Sequence, residues 1–114
     1  MKIYPWSRWW RRALVAAVLV IAPRVRAAAT DGTTTFTQIC AMCHGLDGKA
    51  QTPIGRKIGV KDLTVSTLTE AEIARRVTEG YRDQAGTQKM PAYGAKLSAE
   101  QIAAVAKYVV GLRH

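Results

Sequence analysis

The sequence has few of the residues that build most metal sites and disulfide bonds. Its 114 residues contain two cysteines, Cys40 and Cys43, and two histidines, of which His114 is the last residue. A structural zinc site needs four ligands, usually two pairs of cysteine or histidine, so this composition leaves too few. A disulfide between Cys40 and Cys43 would close a very small loop and add little stability. We therefore expect neither a zinc site nor a stabilising disulfide.

The chain also lacks an apolar run long enough to cross a membrane as a helix. The longest run, residues 13–22, has ten residues, and as a helix it spans about half of the hydrocarbon core. Four basic residues precede this run and three alanines follow it, ending at Ala29. This pattern predicts a signal peptide at residues 1–29 and export to the periplasm. Arg24 and Arg26, together with three tryptophans suited to a membrane interface, leave an uncleaved anchor as the alternative.

The excess of positive charge lies mainly in the predicted leader. The chain has 17 lysines and arginines against 8 acidic residues, a net charge of +9. Six of the basic residues and none of the acidic ones precede residue 30, which leaves 11 against 8, or about +3, for residues 30–114. Nucleic-acid binding requires a dense basic stripe, and this domain has no such excess. We therefore expect no nucleic-acid partner.

The two cysteines belong to a C-x-x-C-H motif, which His44 completes. This is the attachment motif of a c-type haem. Thiols three residues apart lie on nearly the same side of a helical turn, so both can bond to the vinyl groups along one haem edge. The adjacent His44 can then reach the iron. A redox-active dithiol also uses C-x-x-C, but it is expected after a strand in a βαβ unit, and no such strand is predicted here.

The predicted elements of residues 30–114 are helices joined by long loops. A short helix is expected to run from Thr34 or Thr35 into the C-x-x-C-H motif and to end at Gly45. Residues 51–62 are expected to be irregular, and residues 81–96 are expected to form a loop that contains glycine and proline. We predict an all-α domain of three to five helices wrapped around one covalently attached haem.

Two later helices have clear start signals. Thr69 is followed three positions later by Glu72, and Ser98 by Gln101, each pair forming a capping box. Gly80 is expected to end the first of these helices. The second helix has apolar residues at helical spacing on one face, at Ile102, Val105, Ala106, Val109 and Leu112.

Met90 is the strongest candidate for the second ligand of the haem iron. It lies before Pro91, which favours an extended backbone at Met90 and so places it outside a helix. Met42, between the two cysteines, is too close to the motif to reach the other face of the ring. Lys89 and His114 are the competing ligands. Thioether ligation favours ferrous iron, so we predict a low-spin haem of relatively high reduction potential.

The chain resembles the small class I c-type cytochromes of bacteria throughout residues 30–114. The matching residues are Phe36, Cys40-Ala41-Met42-Cys43-His44-Gly45, Asp47-Gly48-Lys49, Pro53, Gly55, Lys61-Asp62-Leu63-Thr64, Lys89-Met90-Pro91-Ala92-Tyr93 and Tyr108-Val109.

This resemblance implies a cytochrome c fold in which the first and last helices cross near Phe36 and Tyr108. It also implies His44 as the proximal ligand and Met90 as the distal ligand of the haem iron. The carbonyl of Pro53 is implied to accept a hydrogen bond from the outer nitrogen of His44, which would fix the orientation of the imidazole.

The function that we expect is one-electron transport by a protein that is not an enzyme. Its partners would be redox proteins, with the carrier either a monomer or a subunit of a complex. Basic residues fall in the loops expected around the haem edge, where they would either steer an acidic partner or serve as scattered solubilising charge: Lys49, Arg56, Lys57, Lys61, Lys89 and Lys96.

Two alternatives remain open. The domain could be the haem c subunit of a larger dehydrogenase or oxidase complex, which a retained leader would favour and which would bring it into contact with the membrane. It could instead be a haem enzyme or gas sensor with an open distal site. The last alternative needs a distal histidine or arginine, and no histidine other than His44 lies in the middle of the chain.

Overall fold

The computed structural model describes residues 31–114, and the predicted signal peptide at residues 1–29 lies outside them. The elements in chain order are helix α1 (Gly32–Thr35), a π-helical segment (Phe36–Cys40), α2 (Ala41–His44), α3 (Pro53–Ile58), a 3-10 turn (Leu63–Val65), α4 (Glu70–Glu79), strands β1 (Tyr81–Arg82) and β2 (Gln88–Met90), and α5 (Ala99–Gly111). No helix in this part of the chain is both long and apolar enough to cross a bilayer.

The first three segments form one helical stretch that leads into the C-x-x-C-H motif. Asp31 begins it, because its side chain accepts a hydrogen bond of 3.0 Å from the backbone N–H of Thr33. This cap explains why the helix starts earlier than Thr34 or Thr35, where we expected it. The stretch ends at Gly45, whose φ of 76° lies in the region that glycine tolerates, as predicted.

The helix α1 crosses α5 at very close range. A Cβ atom on Gly32 would lie 2.2 Å from the backbone carbonyl oxygen of Ala104, so glycine is required at this position. One turn later the rings of Phe36 and Tyr108 pack with their centroids 5.1 Å apart. Phe36 and Val105 are fully buried, with 1% and 0% of their surface exposed. The crossing near Phe36 and Tyr108 that the family resemblance implies is therefore confirmed.

Helices α4 and α5 form the rest of the core and start where the sequence predicts. Both capping boxes are present, with Thr69 accepting from the backbone N–H of Glu72 and Ser98 accepting from that of Gln101. Gly80 ends α4 as predicted. The buried faces comprise Ile73 and Val77 of α4 and Ile102, Val105, Ala106 and Val109 of α5.

Residues 51–62 contain a helix, so the prediction of an irregular segment is wrong there. Thr52 caps α3 by accepting a hydrogen bond of 2.9 Å from the backbone N–H of Gly55, and Pro53 occupies the first helical turn. Proline suits this position, because its missing N–H would have no partner within the helix. Gly59, with φ of 71°, then ends the helix.

The predicted loop at residues 81–96 contains a short antiparallel hairpin of β1 and β2, in which Tyr81 pairs with Met90. Its turn is closed by Asp83, whose backbone N–H donates to the carbonyl of Thr87 at 3.0 Å and whose side chain accepts from the Thr87 N–H at 2.9 Å. Strands of two and three residues show no alternating pattern, which is why the sequence did not indicate them. The domain remains mostly helical and has the all-α cytochrome c fold.

Gly32, at the helix crossing, and Gly111, at the end of α5, are expected to differ in how well they tolerate alanine. We expect Gly32→Ala to lower the free energy of unfolding of the holoprotein by about 2 kcal/mol or more, because the added methyl group overlaps the backbone of α5. Gly111→Ala is the control, since no atom lies within 4 Å of its Cβ position. It should be neutral or raise stability by up to about 1 kcal/mol. Urea denaturation measures both, and equal stability of the two variants would contradict the tight crossing.

Candidate functional site

The C-x-x-C-H motif occupies the end of the N-terminal helical stretch. Cys40 is the last residue of the π-helical segment, and Cys43 and His44 lie in α2. Both cysteines are free and half-buried, and Cys40 packs against the core. Met42, between them, points outward, with 69% of its surface exposed. The two thiols are therefore on the sheltered side of the helix and the intervening side chain is on the open side.

The thiol of Cys40 is in an environment that keeps it protonated. Burial raises its pKa to about 11, and the nearby Cys43 acts in the same direction. Redox-active dithiols require the opposite, a lowered pKa, which they obtain at a helix N-terminus or beside a positive charge. Here the pair lies toward the C-terminal end of its helical stretch. This environment does not support the redox-dithiol alternative.

His44 is in the protonation state that a metal requires. Burial lowers its pKa from the ordinary 6.5, so the imidazole is neutral at pH 7 and keeps a lone pair available for a metal. Its ring packs against Phe36 with centroids 6.5 Å apart. The Nδ1 atom is buried and has no hydrogen-bond partner within the described residues. A buried imidazole that is neutral and unpartnered fits a ring whose two nitrogens serve an iron and an acceptor.

The helix α3 holds the backbone of the motif through Thr52. The hydroxyl of Thr52 donates a hydrogen bond of 3.0 Å to the carbonyl oxygen of Cys43. A Cβ atom on Gly55 would lie 2.3 Å from the same oxygen, so α3 approaches it as closely as backbone allows. Sequence reasoning did not identify Thr52. The signal that could have found it is a threonine directly before a proline, the pattern of a capped helix start.

Pro53 lies next to Thr52, in the element that contacts the motif. The hydrogen bond from His44 to the Pro53 carbonyl, which the family resemblance implies, is not among the contacts formed within residues 31–114. The backbone N–H of Ala50, in the loop that precedes α3, donates a hydrogen bond of 2.7 Å to the carbonyl oxygen of His44.

Met90 is the last residue of β2, half-buried and packed against the hydrophobic core. The prediction that it lies outside a helix is confirmed. Of the competing ligands, Lys89 pairs with Asp83, with 3.7 Å between Nζ and Oδ2. The amine of Lys89 is thus paired with a carboxylate, whereas the side chain of Met90 packs against the hydrophobic core. His114 is exposed beyond the end of α5.

Several side chains that pack against the core remain partly exposed, among them Cys40, Leu63, Leu68, Met90 and Tyr93. Burial raises the pKa of Tyr93, and negative charge on Cys40 or Cys43 would raise it further. The half-buried thiols of Cys40 and Cys43, the neutral imidazole of His44 and the half-buried thioether of Met90 are groups that fit a haem attached through its vinyl groups.

A separate protein-built metal site is not present in the described part of the chain. Within residues 31–114, no group of three or more histidine, cysteine, aspartate or glutamate side chains is placed to hold a metal ion. A haem needs no such cluster, because the porphyrin supplies four of the iron's ligands and the protein only the axial ones.

Comparisons with known proteins agree with this site. Residues 27–109 match the family model for "Cytochrome C oxidase, cbb3-type, subunit III". The chain is 36% identical to cytochrome c6 of Rippkaea orientalis over 95 residues, which are 82% of this chain and 79% of that protein. It is 34% identical over 88 residues to the cbb3-type cytochrome c oxidase subunit FixP of Azorhizobium caulinodans. That match covers 77% of this chain and 28% of FixP.

A solved structure has the same fold. The KustC0563 c-type cytochrome superimposes with a TM-score of 0.62 at 26% sequence identity, and the match covers 74% of this chain and 99% of that one. The C-x-x-C-H motif at Cys40, Cys43 and His44, the helix crossing and these relatives lead to one conclusion. The chain belongs to the small monohaem class I c-type cytochromes, and it is an electron-transfer protein, not an enzyme, that carries haem c.

Proposed function

We propose that the haem c iron of this protein is ligated by His44 and Met90 and cycles between two oxidation states as a one-electron carrier. When bound, haem c supplies the iron couple that stores the electron. The observation that carries the proposal is the position of Met90: it packs half-buried on the same core as Cys40, while its neighbour Lys89 pairs with Asp83.

The protein's own side chains would set the properties of the couple. Burial lowers the pKa of His44 below its ordinary 6.5 and so favours the neutral imidazole, which binds a metal without first losing a proton. The thioether of Met90 is soft and uncharged, and it favours the ferrous state. In this proposal the Pro53 carbonyl accepts a hydrogen bond from Nδ1 of His44 once the imidazole is turned toward the iron. That contact would give a partner to an atom that is now buried without one.

We place this carrier in the periplasm, in a respiratory or dehydrogenase electron-transfer chain. The proposal is based on the leader pattern of residues 1–29 and on the attachment motif. An uncleaved leader would instead hold the same domain at the inner membrane.

The partner would be a redox protein with an acidic docking surface. Five of the six basic residues singled out above are exposed, at Lys49, Arg56, Lys57, Lys61 and Lys96. Lys89 is half-buried and paired with Asp83, so it contributes least. Exposed positive charge would accelerate encounter with such a partner, and added salt would reduce the rate by screening it. In this role the domain would act as a monomer.

The second candidate function is that of a haem c subunit in a larger oxidoreductase complex. The match to FixP favours it, since that protein is named as an oxidase subunit and this chain spans 28% of its length. The electron-transfer chemistry would be the same, and only the permanence of the partner would differ.

Redox titration and carbon monoxide binding of the purified holoprotein test the proposal. We expect a single one-electron transition and a ferric spectrum with a sulfur-to-iron charge-transfer band. Because both axial positions are filled, the reduced protein should bind carbon monoxide slowly and weakly. Rapid, saturable binding together with an absent charge-transfer band would instead support the open-site enzyme or sensor.

A further inference from the structure

The backbone carbonyl of Met90 is held from two sides. Gly80, at the end of α4 with φ of +75°, approaches so closely that a Cβ atom there would lie 2.6 Å from the Met90 carbonyl oxygen. The side-chain amide of Gln88 donates a hydrogen bond to the same oxygen. The Cβ position of Gly80 is also only 2.8 Å from that amide nitrogen, so the absence of a side chain at Gly80 leaves room for the contact.

The hairpin is irregular at the place where this contact forms. Tyr81 pairs with Met90 and Arg82 with Gln88, so Lys89 is an extra residue in β2, opposite the step from Tyr81 to Arg82. Such a bulge bends a strand and redirects the following side chain. The Gln88 amide reaches across the bulge to the carbonyl of Met90. Without this contact, the C-terminal end of β2 would be held to β1 only by the backbone pairing of Tyr81 with Met90.

The chain after Met90 is anchored separately to α4. The backbone N–H of Tyr93 donates to the carbonyl of Val77 at 2.9 Å, and that of Gly94 donates to the carbonyl of Thr78 at 3.1 Å. Pro91, which has no N–H, lies between these anchors and Met90. The backbone of Met90 is therefore restrained on the C-terminal side by α4 and on the N-terminal side by the bulge that Gln88 spans.

We propose that Gln88 is a positioning residue for Met90. Its side-chain amide donates a hydrogen bond across the bulge to the Met90 carbonyl, and this contact fixes the orientation of the Met90 side chain relative to the strand. The proposal rests on the ligation of iron by Met90. A thioether is a weak ligand, so its occupancy depends on how much conformational freedom the loop loses when it binds. With Gln88 in place, most of that freedom is already lost before the sulfur binds.

Displacement of Met90 by added imidazole in the ferric holoprotein tests this role. Imidazole competes for the distal position, and loss of the sulfur-to-iron charge-transfer band reports the exchange. We expect Gln88→Leu to bind imidazole about threefold to tenfold more tightly than the wild type, the factor that corresponds to one lost hydrogen bond. Gln88 is exposed, so this variant should fold.

Two further variants separate positioning from general stability. Gln84→Leu is the matched control, because Gln84 is exposed in the turn of the same hairpin and its side chain makes no hydrogen bond within residues 31–114. It should bind imidazole as the wild type does, within about twofold. Gln88→Lys keeps a donor of similar reach and should restore wild-type affinity.

The outcomes are distinct. If Gln88→Leu and Gln84→Leu bind imidazole equally, or if Gln88→Lys resembles Gln88→Leu, then Gln88 does not position the ligand through its hydrogen bond. If the wild type itself lacks the charge-transfer band, ligation by Met90 fails, and this inference fails with it. If the wild type has the band but Gln88→Leu and Gln84→Leu bind imidazole with equal affinity, the proposed function stands and only the positioning role of Gln88 is overturned.

Discussion

Replacing both Cys40 and Cys43 by alanine should abolish covalent haem attachment completely. The two thiols are free and on the sheltered side of the motif helix, and no other cysteine exists in the chain to replace them. The variant should have the mass of the bare polypeptide, and acidified acetone should extract whatever pigment it retains. It should also lose most of its helical signal, because a domain of about 85 residues buries a modest fraction of its surface and the haem is expected to supply much of the apolar bulk of its core.

Met42→Ala is the matched control for this experiment. Met42 lies between the two cysteines but is largely exposed, so removing its side chain should leave attachment and folding unchanged. The intact mass of the exported wild type, compared with the calculated mass of the polypeptide, reports both the attached haem and the removal of the leader. Covalent haem in the double alanine variant, or free extraction of haem from the wild type, would contradict the assignment of the two cysteines.

The second large effect is expected at Met90. Met90→Ala should remove the sulfur-to-iron charge-transfer band from the ferric spectrum and open the distal position, so that the reduced protein binds carbon monoxide rapidly. The reduction potential should fall by on the order of 100 mV, because a soft neutral ligand that favours ferrous iron is lost. Absorbance spectroscopy, stopped-flow mixing with carbon monoxide and potentiometric titration measure the three effects.

Lys89→Ala provides the control for the Met90 variant. Lys89 is the adjacent residue and pairs with Asp83, so the band and the potential should stay close to wild type. A surviving band in Met90→Ala would show that another residue supplies the distal ligand. A band that disappears only in Lys89→Ala would identify the lysine instead.

The features that the sequence indicates correctly depend on residues within about one helical turn of each other. The spacing of Cys40, Cys43 and His44 is such a feature, because it specifies one side of a single turn. The capping boxes at Thr69 and Ser98 are others, since the hydrogen bonds of each close within four consecutive residues. The periodic apolar face of α5 is equally local, and all but Leu112 of its predicted residues are buried.

Features that depend on irregular turns and on contacts beyond one helical turn could not be obtained in this way. The helix α3 has only six residues, too few to be stable by itself, and it forms where Thr52 and Gly55 contact the carbonyl of Cys43. The hairpin has strands of two and three residues, and its end is held against Gly80. Neither element has a periodic pattern long enough to be recognised.

The sequence by itself therefore determined the cofactor, the family, and the helices that begin with their own caps, because each depends on short-range chemistry. The tertiary structure decided how the ligands are held. Thr52 restrains the backbone of the motif, and Gly80 and Gln88 restrain that of Met90. Thr52 contacts Cys43 across an irregular turn, and Gln88 and Gly80 contact Met90 at a bulge, so no helical or strand periodicity specifies which backbone oxygen each residue will reach.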